Sequence, residues 1–330
     1  MTRKETVAYL RETIYGKIAP LITGDYVLWG LPYYPNIGDT LIWEGELEFL
    51  KRIPHRCVGT CAWDDYSVRP LKKDTVILIT GGGYFGDVWR KAWDNVMDTI
   101  VHYPENPVIL LPNTIFYENP ETMKADAKRL STLKRLVICT RDSVSYAIAK
   151  ANFSNDVLLV PDMAFCISDR TLDRWRKKAS DRTLLLMRTD KELGSMENTL
   201  QGGPGIDIRD WPTMEGGRPG FADKVFGRVH RWRKEARQKG SVFAPAAAWM
   251  EKSVAYLLYR PHLTGAGIAF ISSYGTIVTT RLHAMISGVL LDRKVSYIDN
   301  SYGKLSSFYG TWLSGCEGVE RFGGDAATGK

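Results

Sequence analysis

The chain of 330 residues contains 44% hydrophobic and 25% charged residues, which excludes extended disorder and is ordinary for a soluble globular protein. This length predicts two domains of roughly 150 residues each. The net charge of +7 and the pI near 9.0 predict an anionic partner. Scattered Lys and Arg residues, without a zinc-finger or RNA-binding signature, argue against nucleic acid.

The sequence also predicts a cytoplasmic location. No apolar stretch approaches the ~20 residues that a bilayer span requires, and the initial MTRKETVAYL lacks the apolar core of a signal peptide. The cysteines are odd in number, five in all, which favours reduced thiols over a disulfide framework. Cys57 and Cys61 lack a second Cys or His pair that would complete a zinc site.

In the first half of the chain, short β-branched runs alternate with helical patterns, which indicates a parallel sheet covered by helices. Strands are predicted at 23–30, 74–83, 106–114, 135–142 and 156–162, and helices at 39–52, 88–103, 121–133 and 143–150. This first domain is predicted to span residues 1–168.

A second α/β domain, predicted at residues 169–330, begins with a strand at 182–188. The Gly- and Pro-rich stretch 195–220 indicates a long loop, and helix, strand, helix and strand then alternate through 251–299. The predicted fold is therefore α/β, with two doubly wound Rossmann-like domains that face a cleft. Ligands of such sheets bind outside the carboxyl ends of the strands, so the residues that follow the strands form the candidate site.

Two motifs follow the first two predicted strands. Asn36, Gly38 and Asp39 lie at the turn into a helix, where Asp39 either caps the helix or faces the cleft and activates a hydroxyl. The second strand ends in the glycines Gly81–Gly83. They form either a plain tight turn or a place where a ligand approaches the backbone closely.

Charged residues end the later strands of the first domain. Arg141 and Asp142 close the strand at 135–142, and Asp142 or the serine after it is predicted to cap the next helix. Arg141 either pairs with an acid at the surface or belongs to a site. Asp162 closes the strand at 156–162 and allows the same two interpretations.

Arg281 and His283 are the most informative candidates, because they stand where the apolar run GTIVTT becomes the helical pattern HAMISGVLL. A helix N-terminus carries unpaired amides and partial positive charge, so an Arg there is unfavourable unless an anion is bound. The alternative is a buried His283 and a solvated Arg281. Asp299, Tyr302 and Lys304 follow the next strand, so cationic groups recur on this rim.

Taken in order, these motifs resemble those of the polysaccharide pyruvyl transferases. The family pattern is an N-x-G-D, a glycine-rich strand end, an Arg-Asp, a late Arg-x-His and a following Asp, Tyr and Lys, matched here by Asn36–Asp39, Gly81–Gly83, Arg141–Asp142, Arg281–His283 and Asp299–Lys304. The sequence departs from the pattern in two places: Asn113-Thr114 stands where many relatives have Gln-Ser, and Ala284 stands where Gly is frequent.

The resemblance implies a fold like that of the B-type glycosyltransferases, phosphoenolpyruvate as donor, and a sugar of a growing surface polysaccharide as acceptor. Family members attach pyruvate as a cyclic ketal across two sugar hydroxyls. The donor site is then expected to include Arg281, Leu282, Arg141, Lys304, Gly82 and Gly83, and the acceptor site Asn36, Asp39 and Asn113.

The implied chemistry assigns a role to each charged group. Phosphoenolpyruvate carries a carboxylate and a phosphate, so its site needs several cations and backbone amides close together. Its methylene needs a proton donor, for which His283 is suited because imidazole exchanges protons near neutral pH. Asp39 is the candidate for hydroxyl activation, with Asp162 as the second choice. We expect neither a nicotinamide nor a metal cofactor, because no hydride moves and no metal is chemically required.

The segment 224–240 contains seven Lys or Arg residues and one Glu, with Phe226, Val229 and Trp232 at helical spacing. It is either a solvated helix face or a basic amphipathic surface that meets anionic headgroups or a diphosphate. The second interpretation fits an acceptor sugar carried on a polyprenyl diphosphate lipid. It also fits a protein that is peripheral on the inner face of the cell membrane.

Two alternative functions stay open from the sequence. The first is a nucleotide-sugar-dependent glycosyltransferase of the same architecture, for which Asp299 is the main candidate to hold a ribose. The second is a non-catalytic scaffold of a polysaccharide assembly complex, which would bind membrane and partners through the basic segment.

Overall fold

The computed structural model describes residues 1–66, 68–188, 203–299 and 303–323. These ranges contain two parallel β-sheets whose strands are joined by helices. The predicted α/β fold with two Rossmann-like domains is therefore confirmed, and it is compatible with the arrangement of B-type glycosyltransferases.

The strands are β1 (Tyr26–Leu31), β2 (Cys57–Ala62), β3 (Val76–Ile79), β4 (Gly82–Gly86), β5 (Val108–Phe116), β6 (Leu136–Thr140), β7 (Asp156–Leu159), β8 (Ser180–Leu186), β9 (Ile206–Arg209), β10 (Tyr274–Thr279), β11 (Lys294–Tyr297) and β12 (Val319–Arg321). The helices are α1 (Arg3–Ile18), α2 (Ile37–Leu50), α3 (Arg90–Ile100), α4 (Pro120–Leu130), α5 (Ser143–Asn152), α6 (Asp169–Trp175), α7 (Phe221–Gln238), α8 (Ala244–Val254), α9 (Arg260–Ser272), α10 (Leu282–Leu290) and α11 (Lys304–Phe308). Short 3-10 turns lie at Ala19–Leu21 and Met163–Cys166, and short π turns at Ala255–Tyr259 and Tyr309–Leu313.

The first sheet has the order β2-β1-β3-β5-β6-β7, with β4 beside β5, and its pairs are parallel. Every residue of β1 and β3 is buried. A parallel sheet is covered on both faces, which explains why these strands are apolar without alternation. From β1 the chain adds β2 on one side and then β3 on the other, so the strand order reverses between β1 and β3. The segments that follow these two strands therefore border a crevice.

The second sheet has the order β12-β11-β10-β8-β9 and is also parallel. Read from its other edge, the order β9-β8-β10-β11-β12 matches the order β2-β1-β3-β5-β6 of the first sheet. In both sheets the first strand lies between the second and the third. Its crevice lies between β8 and β10, so the segment that follows β10 and contains His283 borders it.

Two glycines allow close packing around α2: Gly267 between the two domains, and Gly45 within the first domain. A Cβ atom at Gly267 of α9 would lie 2.5 Å from Cγ2 of Ile37, and one at Gly45 would lie 1.9 Å from the carbonyl oxygen of Met163. Helix α2 of the first domain therefore lies directly against α9 and the turn Met163–Cys166, and it also contacts α10. One continuous hydrophobic cluster crosses between the domains, which places the start of α2 beside the start of α10.

Several elements were not predicted from the sequence, among them α1, α6, α11, β2, β4 and β12. Helix α1 begins with a capping box, in which Thr2 and Glu5 bond to each other's backbone amides, and this pair was a readable signal. Strand β2 is an edge strand whose first residues are exposed, so its hydrophobic pattern is weak. The predicted boundary between residues 168 and 169 falls in the connection between β7 and β8.

The prediction of one long loop at 195–220 is wrong for part of its length. Residues Ile206–Arg209 form β9, the edge strand that pairs with β8. Alternation between Ile206 and Ile208 signalled this strand, but the surrounding Gly and Pro residues outweighed it. Residues 195–202 lie outside the described residues.

The five cysteines are all free, as predicted. Within the described ranges, no helix has the length and apolar character needed to cross a membrane. In the same ranges, His, Cys, Asp and Glu side chains form no group of three or more that could hold a metal ion.

Candidate active site

Asn36, rather than Asp39, caps α2. The Asn36 side chain accepts a hydrogen bond from the Asp39 amide at 3.4 Å, so the prediction of Asp39 as the cap is wrong. Asp39 lies in the first turn, half-buried, and its Oδ2 accepts a hydrogen bond from the Tyr34 hydroxyl at 3.0 Å. Burial and then the Asp39 carboxylate raise the pKa of Tyr34 well above its usual value. The phenol therefore stays protonated and holds the carboxylate in place.

The glycines Gly81–Gly83 follow β3, and we call them the glycine turn. Glu46 of α2 fixes this turn through hydrogen bonds. The buried Glu46 carboxyl accepts hydrogen bonds from the Thr80 hydroxyl at 2.7 Å and from the Gly81 amide at 2.8 Å. Burial raises the pKa of Glu46 to about 8. A Cβ atom at Gly81 would lie 2.7 Å from the carbonyl oxygen of Pro112. The backbone here passes too close to β5 for any side chain, so the turn has little freedom to move.

Arg141 is completely buried, so its interpretation as half of a surface ion pair is wrong. Its Nε donates to the Thr114 hydroxyl at 2.9 Å and its Nη1 to Asp162 Oδ2 at 2.7 Å. Its Nη2 is buried without a hydrogen-bond partner among the described residues. A Cβ atom at Gly83 would lie 3.2 Å from this Nη2. One donor of a buried guanidinium is thus unused beside the glycine turn, which is an arrangement suited to an anion.

Lys304 of the second domain reaches the same turn. A Cβ atom at Gly83 would lie 2.8 Å from Lys304 Nζ, so the ammonium group lies over the glycine backbone. The segment after Lys304 is tied to the first domain by Trp312, whose Nε1 donates to the carbonyl oxygen of Arg141 at 2.8 Å. Two cations from two domains therefore converge on Gly83.

Two aspartates, Asp142 and Asp299, hold the segments that bring Arg141 and Lys304 to Gly83. Asp142 caps α5, which confirms one of the two predicted caps, and it also accepts a hydrogen bond from the Ser307 hydroxyl at 2.9 Å. Asp299 accepts a hydrogen bond from the Leu305 amide at 3.0 Å at the start of α11. Tyr302, which was singled out from the sequence, lies outside the described residues.

Asp162 connects Arg141 to His283. Its Oδ1 accepts a hydrogen bond from the Ala164 amide at 2.9 Å, and its Oδ2 lies 3.4 Å from Nε2 of His283. Burial acts to raise the pKa of Asp162, but His283 and Arg141 outweigh it and lower the pKa well below its usual value. A completely buried and ionised carboxylate does not suit the second hydroxyl base that was predicted; its contacts suit a group that orients the imidazole.

The imidazole of His283 packs on Gly38. A Cβ atom at Gly38 would lie 2.7 Å from Nδ1 and 3.2 Å from Cγ of His283, so only glycine leaves room for the ring. The N-x-G-D motif of one domain and the Arg-x-His motif of the other therefore meet in direct contact. The contacts of Asp162 extend this junction to Arg141.

Asn113 adds an unused acceptor to the unused donor of Arg141. The Asn113 side chain donates from Nδ2 to the carbonyl oxygen of Leu111 at 2.7 Å, which leaves Oδ1 buried without a partner among the described residues. A Cβ atom at Gly82 would lie 3.9 Å from this Oδ1. An anionic group beside Arg141 and a hydroxyl beside Asn113 would satisfy the two orphaned atoms.

Arg281 and Leu282 lie differently from what the sequence suggested. The buried Arg281 guanidinium contacts the Asp210 carboxylate from Nε at 2.5 Å and from Nη2 at 2.6 Å. An anion was predicted at this helix start, and Asp210, which follows β9, is one such anion. The Leu282 side chain is packed in the hydrophobic core, so any contact of this residue with a donor has to come from its backbone. It begins the buried face of α10.

Three side chains of this region were missed from the sequence: Tyr34, Glu46 and Asp210. Glu46 stands in a helix that is buried along most of its length, and an acid on a buried helix face needs partners. Asp210 follows β9, which lies within the predicted loop at 195–220. For Tyr34 we find no sequence signal beyond its nearness to Asp39.

Comparisons with known proteins identify the family of this chain. A family model described as Polysaccharide pyruvyl transferase matches residues 36–217, which is more than half of the chain. The chain is 29% identical over 324 residues to the Bacillus subtilis protein "Putative pyruvyl transferase EpsO", covering 96% of this chain and 94% of that protein. It is 25% identical over 313 residues to "Pyruvyl transferase 1" of Schizosaccharomyces pombe, covering 87% of this chain and 69% of the relative.

A solved structure supports the fold. The protein KP1_0663 of Klebsiella pneumoniae superposes with a TM-score of 0.58 at 16% identity, covering 91% of this chain and 93% of that chain. The matched family range begins at Asn36, the cap of α2, and takes in the glycine turn, Arg141 and Asp162. On this evidence the chain belongs to the polysaccharide pyruvyl transferase family and is a polysaccharide pyruvyltransferase.

Proposed function

We propose that the donor is phosphoenolpyruvate and that it binds over the glycine turn. The observation that carries this proposal is the buried Nη2 of Arg141, which has no partner among the described residues and lies beside Lys304 Nζ above Gly83. A phosphate and a carboxylate on one small molecule need two cations at such close range. The glycine backbone of residues 82 and 83 lets the donor approach without a side chain between.

The reaction forms a cyclic ketal. A proton adds to the methylene carbon of phosphoenolpyruvate, and the adjacent carbon becomes oxocarbenium-like. One sugar hydroxyl attacks that carbon, inorganic phosphate leaves, and a second hydroxyl closes the ring. The two hydroxyls release two protons: one replaces the proton delivered to the methylene, and the other leaves with phosphate. The reaction consumes no reductant, and we propose that phosphoenolpyruvate acts as a co-substrate without a bound cofactor.

We propose that His283 delivers the proton to the methylene. Its Nε2 lies 3.4 Å from the buried, ionised Asp162, so the carboxylate orients the ring. The Gly38 contact holds the other edge of the ring. Asp162 is then a positioning residue, since both of its oxygens are already engaged by Arg141, His283 and the Ala164 amide.

The acceptor side is assigned to Asn36, Asp39 and Asn113. Asp39 is the proposed base for a sugar hydroxyl, oriented by Tyr34. Asn113 Oδ1 is an unused acceptor, and a sugar hydroxyl can donate to it, whereas fully ionised phosphoenolpyruvate has no hydrogen to donate. At the glycine turn, Asn113 Oδ1 is therefore assigned to the acceptor sugar and Arg141 Nη2 to the donor. Arg281 is proposed as a residue that anchors α10 through Asp210.

We propose that the acceptor sugar belongs to a lipid-linked precursor of a capsular polysaccharide or exopolysaccharide. Support comes from the family description, which names a polysaccharide, and from the excess of positive charge, which suits a polyprenyl diphosphate. An enzyme of this kind would work as a cytoplasmic protein, peripheral on the inner face of the cell membrane.

The test is incubation with phosphoenolpyruvate and a panel of lipid-linked sugars. We expect a product heavier than the acceptor by one pyruvate less water, with one phosphate released per product. Replacement of His283 by Ala should abolish the product. Persistence of ketal formation in that variant would remove His283 from the mechanism.

A thermal-shift measurement separates the alternatives. Phosphoenolpyruvate should raise the melting temperature, and a nucleotide sugar should not. Stabilisation by the nucleotide sugar alone would instead favour a glycosyltransferase, and stabilisation by neither would favour a scaffold.

A further inference from the structure

The outer face of α8 is apolar and exposed to solvent. The side chains of Trp249 and Leu257 are 69% and 80% exposed, and Met250 is also exposed. On the opposite side of this helix and the π turn that follows it, Ala247, Glu251 and Ala255 are buried. A helix that presents large apolar side chains to solvent normally has a further partner.

The connection between α7 and α8 continues the same apolar character. Val242 and Phe243 are 87% and 64% exposed and precede α8 directly in the chain. Trp232, near the end of α7, is also exposed. Helices α7 and α8 pack against each other, so these side chains lie on one hairpin. We call its exposed apolar side chains, Trp232, Val242, Phe243, Trp249, Met250 and Leu257, the hairpin face.

The cations of α7 divide into two groups, and the first is neutralised inside the protein. Arg233 and Arg237 both pair with Asp65, and Lys234 pairs with Asp64 at 2.8 Å. These side chains line a cavity of about 570 Å³ on the inner side of the helix. The predicted basic surface at 224–240 is therefore only partly available to an external partner.

The second group is exposed and forms no ion pair within the described residues. Lys224, Arg228, Arg231 and Lys239 of α7 and its end belong to it, together with Lys252 of α8. The apolar side of α7 is not free either, since Phe226 stacks on Tyr259 inside the protein. What the hairpin offers to solvent is thus an apolar face of α8 and its preceding connection, flanked by unpaired cations.

We propose that the hairpin face docks the enzyme on an anionic lipid bilayer. Trp and Phe side chains favour the bilayer interface, where their rings meet acyl chains and headgroups together. Exposed Lys and Arg residues beside them gain attraction from anionic lipid. A symmetric contact with a second copy would instead bring these like charges towards each other around the two-fold axis. Charge therefore favours the bilayer over self-association.

This inference rests on the proposed function in one respect: a lipid-linked acceptor is presented at a bilayer surface. It replaces the basic segment 224–240 by a specific set of side chains, most of which lie outside that segment. The docking can be measured without any substrate, so it is tested apart from catalysis.

The first experiment is flotation of the full chain with vesicles of phosphatidylcholine alone or with phosphatidylglycerol added. Wild type should bind the anionic vesicles. The double variant Trp249→Ser, Leu257→Ser should lower the partition coefficient by roughly tenfold or more, because two large apolar side chains no longer insert. The control replaces Tyr9 and Val58, two exposed apolar residues elsewhere on the surface at 55% and 53%, by Ser and should bind as wild type does.

The second experiment reverses charge. Lys239→Glu with Lys252→Glu should weaken binding to anionic vesicles by roughly tenfold or more and leave binding to neutral vesicles little changed. The control, Lys128→Glu with Lys178→Glu, reverses two exposed lysines elsewhere and should bind as wild type does. Equal losses in both pairs would show that net charge alone acts, and would overturn the hairpin face as the docking surface.

Sedimentation of the same proteins without vesicles tests whether a second copy of the chain occupies the hairpin face instead. A wild-type dimer that Trp249→Ser, Leu257→Ser converts to monomer, with vesicle binding unchanged, would assign the face to self-association and refute docking. Vesicle binding without pyruvyl transfer would leave docking intact and refute the proposed function. Pyruvyl transfer to a water-soluble acceptor without any vesicle binding would do the reverse.

Discussion

Gly38 and His283 belong to different domains and are in direct contact: a Cβ atom at Gly38 would lie 2.7 Å from Nδ1 of the imidazole. The ring is held between this glycine and the buried Asp162, whose Oδ2 is 3.4 Å from Nε2. The start of α2 thus forms one wall of the position that His283 occupies. Any atom added at Gly38 has to move the ring.

The variant Gly38→Ala should therefore fold but lose activity. The new methyl group displaces the imidazole from Asp162, and a misplaced proton donor lowers kcat by roughly a hundredfold. Steady-state kinetics with saturating phosphoenolpyruvate measure this. The control Gly227→Ala lies in α7, where a Cβ atom meets nothing within 4 Å, and it should keep full kcat. Equal kcat for the two variants would contradict the role of this contact.

The variant Arg141→Lys should fold and bind phosphoenolpyruvate more weakly. Lysine keeps the positive charge beside Asp162 but has no guanidinium fork, so one ammonium group cannot serve Thr114, Asp162 and the donor at once. We expect KM for phosphoenolpyruvate to rise by roughly tenfold or more. Arg135→Lys, at an exposed arginine that bonds a carbonyl oxygen, is the control. An unchanged KM in Arg141→Lys would place the donor elsewhere.

The variant Gly83→Ala should block the donor position without unfolding the chain. Its methyl group would lie 2.8 Å from Lys304 Nζ and 3.2 Å from Arg141 Nη2, in the space where we place the anion. Lys304 has a flexible side chain that can yield, so the thermal midpoint should change little while the stabilisation by phosphoenolpyruvate disappears. Lys304→Met should lose the same stabilisation, and Lys294→Met, at an exposed lysine, should not.

The buried Glu46 predicts a pH dependence of stability. Its pKa is raised from 4.5 in the unfolded chain to about 8 in the fold, so the folded state binds the extra proton between these values. The free energy of unfolding should then decline as the pH rises through this window, by at most about 1.4 kcal/mol per pH unit from this group. The contribution is complete below about pH 4.5 and lost above about pH 8.

The variant Glu46→Gln isolates that effect. Glutamine can still accept hydrogen bonds from Thr80 and Gly81 but does not titrate. Urea unfolding at pH 5.5 and pH 8.5 should show a smaller decline for the variant than for wild type. Parallel declines in the two proteins would mean that Glu46 does not hold the proton.

The pair of Arg281 and Asp210 should act on stability rather than on donor binding. Asp210→Asn leaves a buried guanidinium without its carboxylate, which should lower the free energy of unfolding by about 3 kcal/mol. KM for phosphoenolpyruvate should change much less than in Arg141→Lys. A double-mutant cycle with Arg281→Met measures the coupling. Should KM rise and stability stay constant, Arg281 would be a donor ligand as first predicted.

Local patterns were enough to establish the parallel sheets and the segments that carry chemistry. Apolar strand runs, the glycines at 81–83 and the polar residues after each strand end are properties of short stretches, so they can be read one stretch at a time. The motifs beginning at Asn36, Arg141 and Arg281 indicated the family for the same reason, and the family model bears this out.

Tertiary structure decided which charges meet, because those partners are far apart in the chain and their choice depends on burial. Arg141 was compatible with a surface pair until the fold buried it against Asp162. The anion that was predicted beside Arg281 is the Asp210 carboxylate, which follows β9. The sequence by itself determined the sheets and their loops; only the packing of α2 against the second domain decided that Gly38 touches His283, since no local pattern records the distance between two domains.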